Sequence, residues 1–399
     1  MNILVYPHQM IIGGSQINAL ELAAKVRDRG HDVTIIAPDG PLVDMARNLN
    51  LTYHCTASDS EDVSPRNALQ MSHLVRELEI EVLHAYEWRP AMEMSFGPHL
   101  LRQTPLVVTV LSMYVSGFIP RHLPLIVGTR ELAEDMERKK RPAVHVIEPP
   151  IDAGLNRRSD AVAARRQWSF SDEEIVLSIV CRMSHDLQKL EGALQAMTVI
   201  GQIAQTQAVR FLVVGGGEGL EDVLGRAQAI NSRLNREVIL VTGPMADPRL
   251  AYEASDIVLG MGSSILRGMA FGNAVVVQGA NGFWRLLDER SVKTFLWQGW
   301  YGDGGAGAPE LDDILRRLIA DRPRMATLGQ YGRSLVEDHF DLERAADRLL
   351  AIYTAATSGK TNTGSWPSLL GSAASFAKCE AHIAHSRLAS ILTPQRRRS

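Results

Sequence analysis

Arg182 and Lys189 flank a turn that also holds Ser184, His185 and Asp186, immediately after the apolar run 175–181. Cations fixed at the end of a buried strand can neutralise a leaving diphosphate. Charge grows on such a group as its bond breaks, so the stabilisation is largest in the transition state. Gly262-Ser263-Ser264-Ile265 forms a second candidate anion site, between the apolar run 256–260 and a helical pattern carrying Arg267. Backbone amides at a helix start are unpaired and carry the positive end of the dipole, and small residues let a phosphate approach them. Gly13-Gly14-Ser15-Gln16 holds the corresponding place near the N-terminus. Two readings are open: its backbone touches a phosphate or a sugar, or the glycines only make the tight turn that glycine permits. His84, Glu87 and Trp88 stand at the end of the run 82–86. They are candidates to line a cleft and, for His84 and Glu87, to take part in catalysis, with a core position as the other reading of His84.

Other glycine-rich segments carry less. In Gly215-Gly216-Gly217-Glu218-Gly219, Leu220 stands where a dinucleotide fingerprint needs its last small residue, so the segment reads as a strand-to-helix turn near the cleft. Gly359-Lys360-Thr361 imitates the end of a phosphate-binding loop, but Thr354 replaces the first glycine and no strand precedes it. There is no Asp-x-Asp triplet and no His or carboxylate pair at metal-ligand spacing, so the expected chemistry uses neither a metal nor a bound cofactor.

Alternating strand and helix patterns position these residues. Short apolar runs at 2–6, 33–37, 52–55, 82–86, 106–111, 125–128 and 144–147 are mostly separated by helical stretches. Pro149-Pro150 and the polar run 153–159 break the pattern, and strands resume at 175–181, 210–214, 238–242, 256–260 and 274–278. Two doubly wound α/β domains follow, with ligands expected beyond the carboxyl ends of the strands. The chain divides into a first domain at 1–155, a second at 156–340, a crossover helix at 341–356 returning to the first domain, and a tail at 357–399. The tail comprises a Gly/Ser/Thr linker and a possible added helix, which is a candidate for dimerisation.

With 399 residues, 45% apolar and 22% charged, the composition suits about two folded domains and not a disordered chain. A net charge of −3 gives no basic footprint for nucleic acid. Three scattered cysteines, the lack of a signal-peptide pattern and the lack of an 18-residue apolar stretch lead to the expectation of a cytoplasmic protein without a transmembrane segment.

Taken in order, several segments resemble glycosyltransferase family 4, the retaining nucleotide-sugar transferases of GT-B architecture. They are Gly13-Gly14-Ser15-Gln16 with Leu20-Glu21-Leu22-Ala23, Arg29-Gly30-His31-Asp32-Val33, Arg182 with Lys189, Phe211 through Gly217, Val241 through Met245, Met269 through Gly272, and Phe340 through Tyr353. The resemblance covers roughly residues 1–356. It implies a UDP- or GDP-sugar as cosubstrate, bound by the second domain, and a small-molecule or glycan acceptor held by the first. Arg182 and Lys189 would meet the donor diphosphate, Gly243-Pro244-Met245 would border the base, and Gly262, Ser263, Ser264 and Ile265 would offer amides to the phosphates. Gly13, Gly14 and Ser15 would close over the donor, and Tyr86, Trp88, Tyr114 and Phe118 are candidate acceptor walls.

Three positions depart from the family pattern. The usual Glu-x7-Glu is missing, with Leu259 and Arg267 in place of the carboxylates; Arg267 becomes a candidate donor contact of a new kind. Leu111-Ser112-Met113-Tyr114 replaces a segment that often holds a histidine, and the linker reads Pro149-Pro150-Ile151-Asp152. A transferase is the expected activity. A non-catalytic nucleotide-sugar-binding partner and a nucleotide-sugar epimerase are the alternatives, which fold alone does not separate.

Overall fold

The computed structural model describes residues 1–60, 62–358 and 366–392, with side chains to residue 382. The first domain is a parallel sheet of β1 (Asn2–Tyr6), β2 (Asp32–Ala37), β3 (Thr52–Cys55), β4 (Val82–Tyr86), β5 (Leu106–Val110), β6 (Leu125–Val127) and β7 (Val144–Val146), in spatial order β3-β2-β1-β4-β5-β6-β7. The second contains β8 (Ile175–Val180), β9 (Val209–Val214), β10 (Ile239–Gly243), β11 (Ile257–Gly260), β12 (Ala274–Gln278) and β13 (Trp284–Leu286), in order β10-β9-β8-β11-β12-β13. β13 pairs antiparallel to β12 and closes that edge. The central strands are apolar on both faces because helices cover both sides of a parallel sheet, which is why they read as continuous apolar runs.

In both sheets the order of the parallel strands reverses at the first strand, between β1 and β4 and between β8 and β11. Loops that leave the carboxyl ends there splay apart and open a crevice. Two chain segments join the domains. Ile151 N–H donates to Phe340 O at 2.7 Å and Leu342 N–H to Ile151 O at 3.3 Å, so the outgoing linker and the returning chain run side by side.

The helix Leu342–Ser358 then lays Leu342, Ala345, Ala346, Leu349, Ile352, Tyr353 and Ala356 into the core of the first domain, as the periodicity predicts. A tail helix, Trp366–Leu392, follows. It docks on its own chain: Leu369 and Ser372 are buried, Arg121 N–H donates to Ser368 Oγ at 2.8 Å, and Phe376 packs on Trp88 and Phe118. The Gly/Ser/Thr linker falls largely on residues 359–365, outside the described residues, as do the three terminal arginines.

Candidate active site

Two helix starts face each other across the crevice. The helix Gly14–Asp28 follows β1 and has Gly13 as an extended N-cap without a side-chain cap. The helix Ser263–Ala270 follows β11, and its N-cap, Gly262, has φ 59° and also lacks a side-chain cap. First-turn amides at both ends are therefore left for another acceptor. They approach closely, since a Cβ on Gly14 would lie 2.8 Å from Ser263 Oγ. Glycine is needed here for proximity, not for its backbone angle.

Arg182 enters the same place from the loop after β8. Its Nη2 donates to Ile12 O at 3.1 Å, and a Cβ on Gly13 would stand 3.4 Å from that nitrogen. The loop is held by the glycine-rich turn after β9: Met183 N–H donates to Gly216 O at 2.9 Å, and Gly219 N–H to Met183 O at 2.9 Å. A Cβ on Gly215 would fall 1.8 Å from Cys181 O, so that turn serves as a backbone cradle for the arginine loop. Ser15 Oγ and Ser184 Oγ, one on each wall, are buried and have no hydrogen-bond partner among the described residues. One guanidinium and two uncapped helix starts meet there, a combination suited to a multiply charged anion.

The remaining predicted residues are distributed differently. Lys189 opens the next helix, and its Nζ pairs with Asp186 Oδ2 at 2.5 Å, a partner within its own turn. Ile265 is fully buried and contributes packing. Gly243 has φ 73° at the end of β10; Pro244 lies against Gly216, and Met245 packs against the small apolar cluster that includes Phe170 and Leu212.

Arg267 is not turned to an open phosphate site. Its Nη2 lies 2.9 Å from Glu21 Oε1, on the first-domain helix, and its Nη1 lies 3.2 Å from Asn156 Oδ1. The residue expected as a new donor contact instead joins the two domains, because a carboxylate of opposite charge faces it across the crevice. Glu21 was legible as part of a motif but not as this partner, since the two positions are 246 residues apart.

In the first domain, His84 is buried between two hydroxyls, with Nδ1 2.6 Å from Tyr353 Oη and Nε2 2.7 Å from Thr109 Oγ1. Both ring nitrogens are occupied, and burial lowers its pKa to about 3. The core reading is the one the geometry fits. Tyr86 is likewise buried, its ring tilted by 37° against that of His84 at 4.5 Å between centroids. Trp88 and Phe118, expected as acceptor walls, are in edge contact with each other and covered by Phe376, a neighbour no spacing could have announced. Tyr114 is exposed.

Glu87 follows β4 with φ 67°, an unusual backbone for a non-glycine residue. Its Oε1 accepts from the Leu111 and Ser112 amides at 2.9 and 3.2 Å, and its Oε2 from Ser112 Oγ at 2.6 Å. Burial pushes this carboxyl up, while those hydrogen bonds pull it back. Among the described residues no group of three or more His, Cys, Asp or Glu side chains gathers as a metal site, and no helix is long and apolar enough to cross a membrane.

Two facing Rossmann-like domains joined by a crossover helix define the GT-B fold. Residues 12–155, most of the first domain, match the model of Glycosyltransferase Family 4. The structure superposes on HepE of Anabaena, solved with UDP-glucose, with a TM-score of 0.68, 17% identity and coverage of 89% of this chain and 100% of that one. Sucrose-phosphate synthase of Thermosynechococcus elongatus gives a TM-score of 0.68 at 16% identity, covering 90% and 100%. Among curated proteins, D-inositol 3-phosphate glycosyltransferase of Segniliparus rotundus is 27% identical over 228 residues, 54% of this chain and 48% of that relative. The match thus spans about half the length of that protein.

Proposed function

We propose that the chain transfers a glycosyl group from a nucleotide diphosphate sugar, UDP- or GDP-linked, to a small-molecule or glycan acceptor. The observation that carries this reading is the meeting of Arg182 with the open helix starts at Gly14 and Ser263. A diphosphate placed between them accepts hydrogen bonds from amides of both domains. As the anomeric C–O bond breaks, the electron pair passes to the leaving phosphate, and the guanidinium and both helix dipoles stabilise the growing charge. No resident metal is required for that stabilisation. With acceptor and leaving group on one face of the sugar, the acceptor oxygen bonds to the anomeric carbon while the departing phosphate oxygen takes its proton, and the configuration is retained. The solved complex of HepE with UDP-glucose supports UDP as the first donor to try.

Titration calorimetry with UDP and with GDP tests the donor site. Wild type is expected to bind at least one of them, and Arg182→Ala to weaken binding by about tenfold or more, since a lost charged hydrogen bond is worth roughly 1.5–3 kcal/mol. Failure of both nucleotides to bind wild type ends this reading. Mass-spectrometric detection of sugar release from a panel of UDP- and GDP-sugars then separates a transferase from a protein that only binds the donor.

A further inference from the structure

At the far edge of the interdomain face lies a second concavity, four strand positions from β1 across the first sheet, or about 19 Å at the usual strand spacing. Its volume is about 430 Å³, within the usual range of ligand pockets, roughly 300–1,000 Å³. Arg130, Glu134 and Glu137 come from the helix Arg130–Arg138 and Glu148 from the segment after β7; Trp297 comes from the second-domain helix Val292–Gln298, and Arg348 from the crossover helix. Two features set the groove apart from an ordinary charged surface. Trp297 is 44% exposed and its indole N–H has no partner among the described residues, although Val292 and Phe295 of the same helix are buried. In addition, among the described residues the charged ends of the five ionisable residues form no ion pair at contact distance, Glu148 interacting with Arg130 and Arg348 only at longer range, whereas Lys139 and Arg138, farther along the helix, both pair with Asp135.

The lining selects the chemistry of an occupant. Two guanidinium groups disfavour a cation, and three carboxylates disfavour a phosphate or other strong anion. An apolar molecule would bury the charged groups without partners, at a cost. A sugar ring avoids all three penalties. Its C–H face can cover an indole, and each hydroxyl both donates and accepts, so one molecule can satisfy guanidinium donors and carboxylate acceptors together. We propose that this groove is an accessory binding site for a neutral saccharide, with Trp297 as the stacking platform and Arg130, Arg348 and Glu148 as hydroxyl partners. It is distinct from the donor site at Arg182 and does not depend on the transfer reaction.

Saturation-transfer NMR and tryptophan fluorescence on the full chain, with glucose, N-acetylglucosamine and maltose as neutral probes and glucuronate and glucosamine as charged ones, test the site. At least one neutral probe is expected to bind at millimolar concentration and to be preferred over both charged ones. Trp297→Ala should weaken that binding by about tenfold or more, and Glu148→Gln by a smaller factor. Arg182→Ala and saturating UDP should leave it unchanged, which keeps a failure here separate from a failure of the donor site. The proposal is overturned if no neutral probe binds wild type, if the charged probes bind better, if Trp297→Ala binds as wild type does, or if UDP displaces the sugar.

Discussion

Glu87 shows how a single side chain can oblige the backbone to accept an unfavourable conformation. At φ 67° and ψ 178° a residue with a Cβ is strained, on the order of 1–3 kcal/mol, yet the carboxylate returns three hydrogen bonds to Leu111 and Ser112. Those bonds fix the turn after β5, where many family-4 proteins carry a histidine and this chain does not. Glu87→Gly would relieve the backbone but free the turn, and Glu87→Ala would keep the strain and orphan two amides. Urea denaturation should therefore find Glu87→Ala less stable by about 1 kcal/mol or more, since three hydrogen bonds at a half-buried turn are lost. Glu87→Gln keeps one acceptor oxygen and should fall between Ala and wild type. If Ala and Gln prove equally stable, the carboxylate is not what holds the turn.

At the level of elements, the two helices that meet across the crevice are joined by Arg267 and Glu21, whose side chains are only 16% and 15% exposed. Restoring a carboxylate at position 267, as the resemblance would suggest, would set two negative charges against each other at the domain junction. Arg267→Glu is therefore expected to destabilise the closed arrangement and lower nucleotide affinity, and so is Glu21→Arg. The double exchange Glu21→Arg/Arg267→Glu should recover much of the loss, with a coupling of about 1–3 kcal/mol. Simple additivity in calorimetry and small-angle scattering would show that the pair does not couple the domains.

The same helices show what a sequence can disclose. Their existence and the glycine-rich turns before them follow from periodicity, and the parallel strands from apolar runs buried on both faces. Long-range partnerships are set by how the folded domains face each other, and local spacing carries no record of that. This is why Arg267 could be singled out without Glu21, and Trp88 and Phe118 without Phe376. The antiparallel strand β13 was missed because it is three residues long with a charged residue at its centre.

For the molecule as a whole, the crossover helix makes the stability of one domain depend on chain that has passed through the other. His84 is the polar anchor of that arrangement, accepting or donating between Tyr353 on the crossover helix and Thr109 on β5. Burial lowers its folded pKa to about 3, whereas an unfolded histidine titrates near 6.5. The folded protein therefore takes up fewer protons than the unfolded chain between those values. The stabilisation from keeping His84 neutral is fully present above about pH 6.5 and is lost as pH falls toward about 3, by up to about 1.4 kcal/mol per pH unit. His8 and His122, each lowered to about 4 chiefly by burial, add to the same acid slope. His84→Gln removes one titrating group while leaving an amide to bond Tyr353 or Thr109. It should be less stable than wild type at pH 8, by about 1–3 kcal/mol, yet lose stability more slowly on acidification. In urea titrations at several pH values between 6.5 and 4 the two curves should converge. Parallel curves would mean that the proton uptake belongs to other groups and that His84 serves the crossover helix by packing alone.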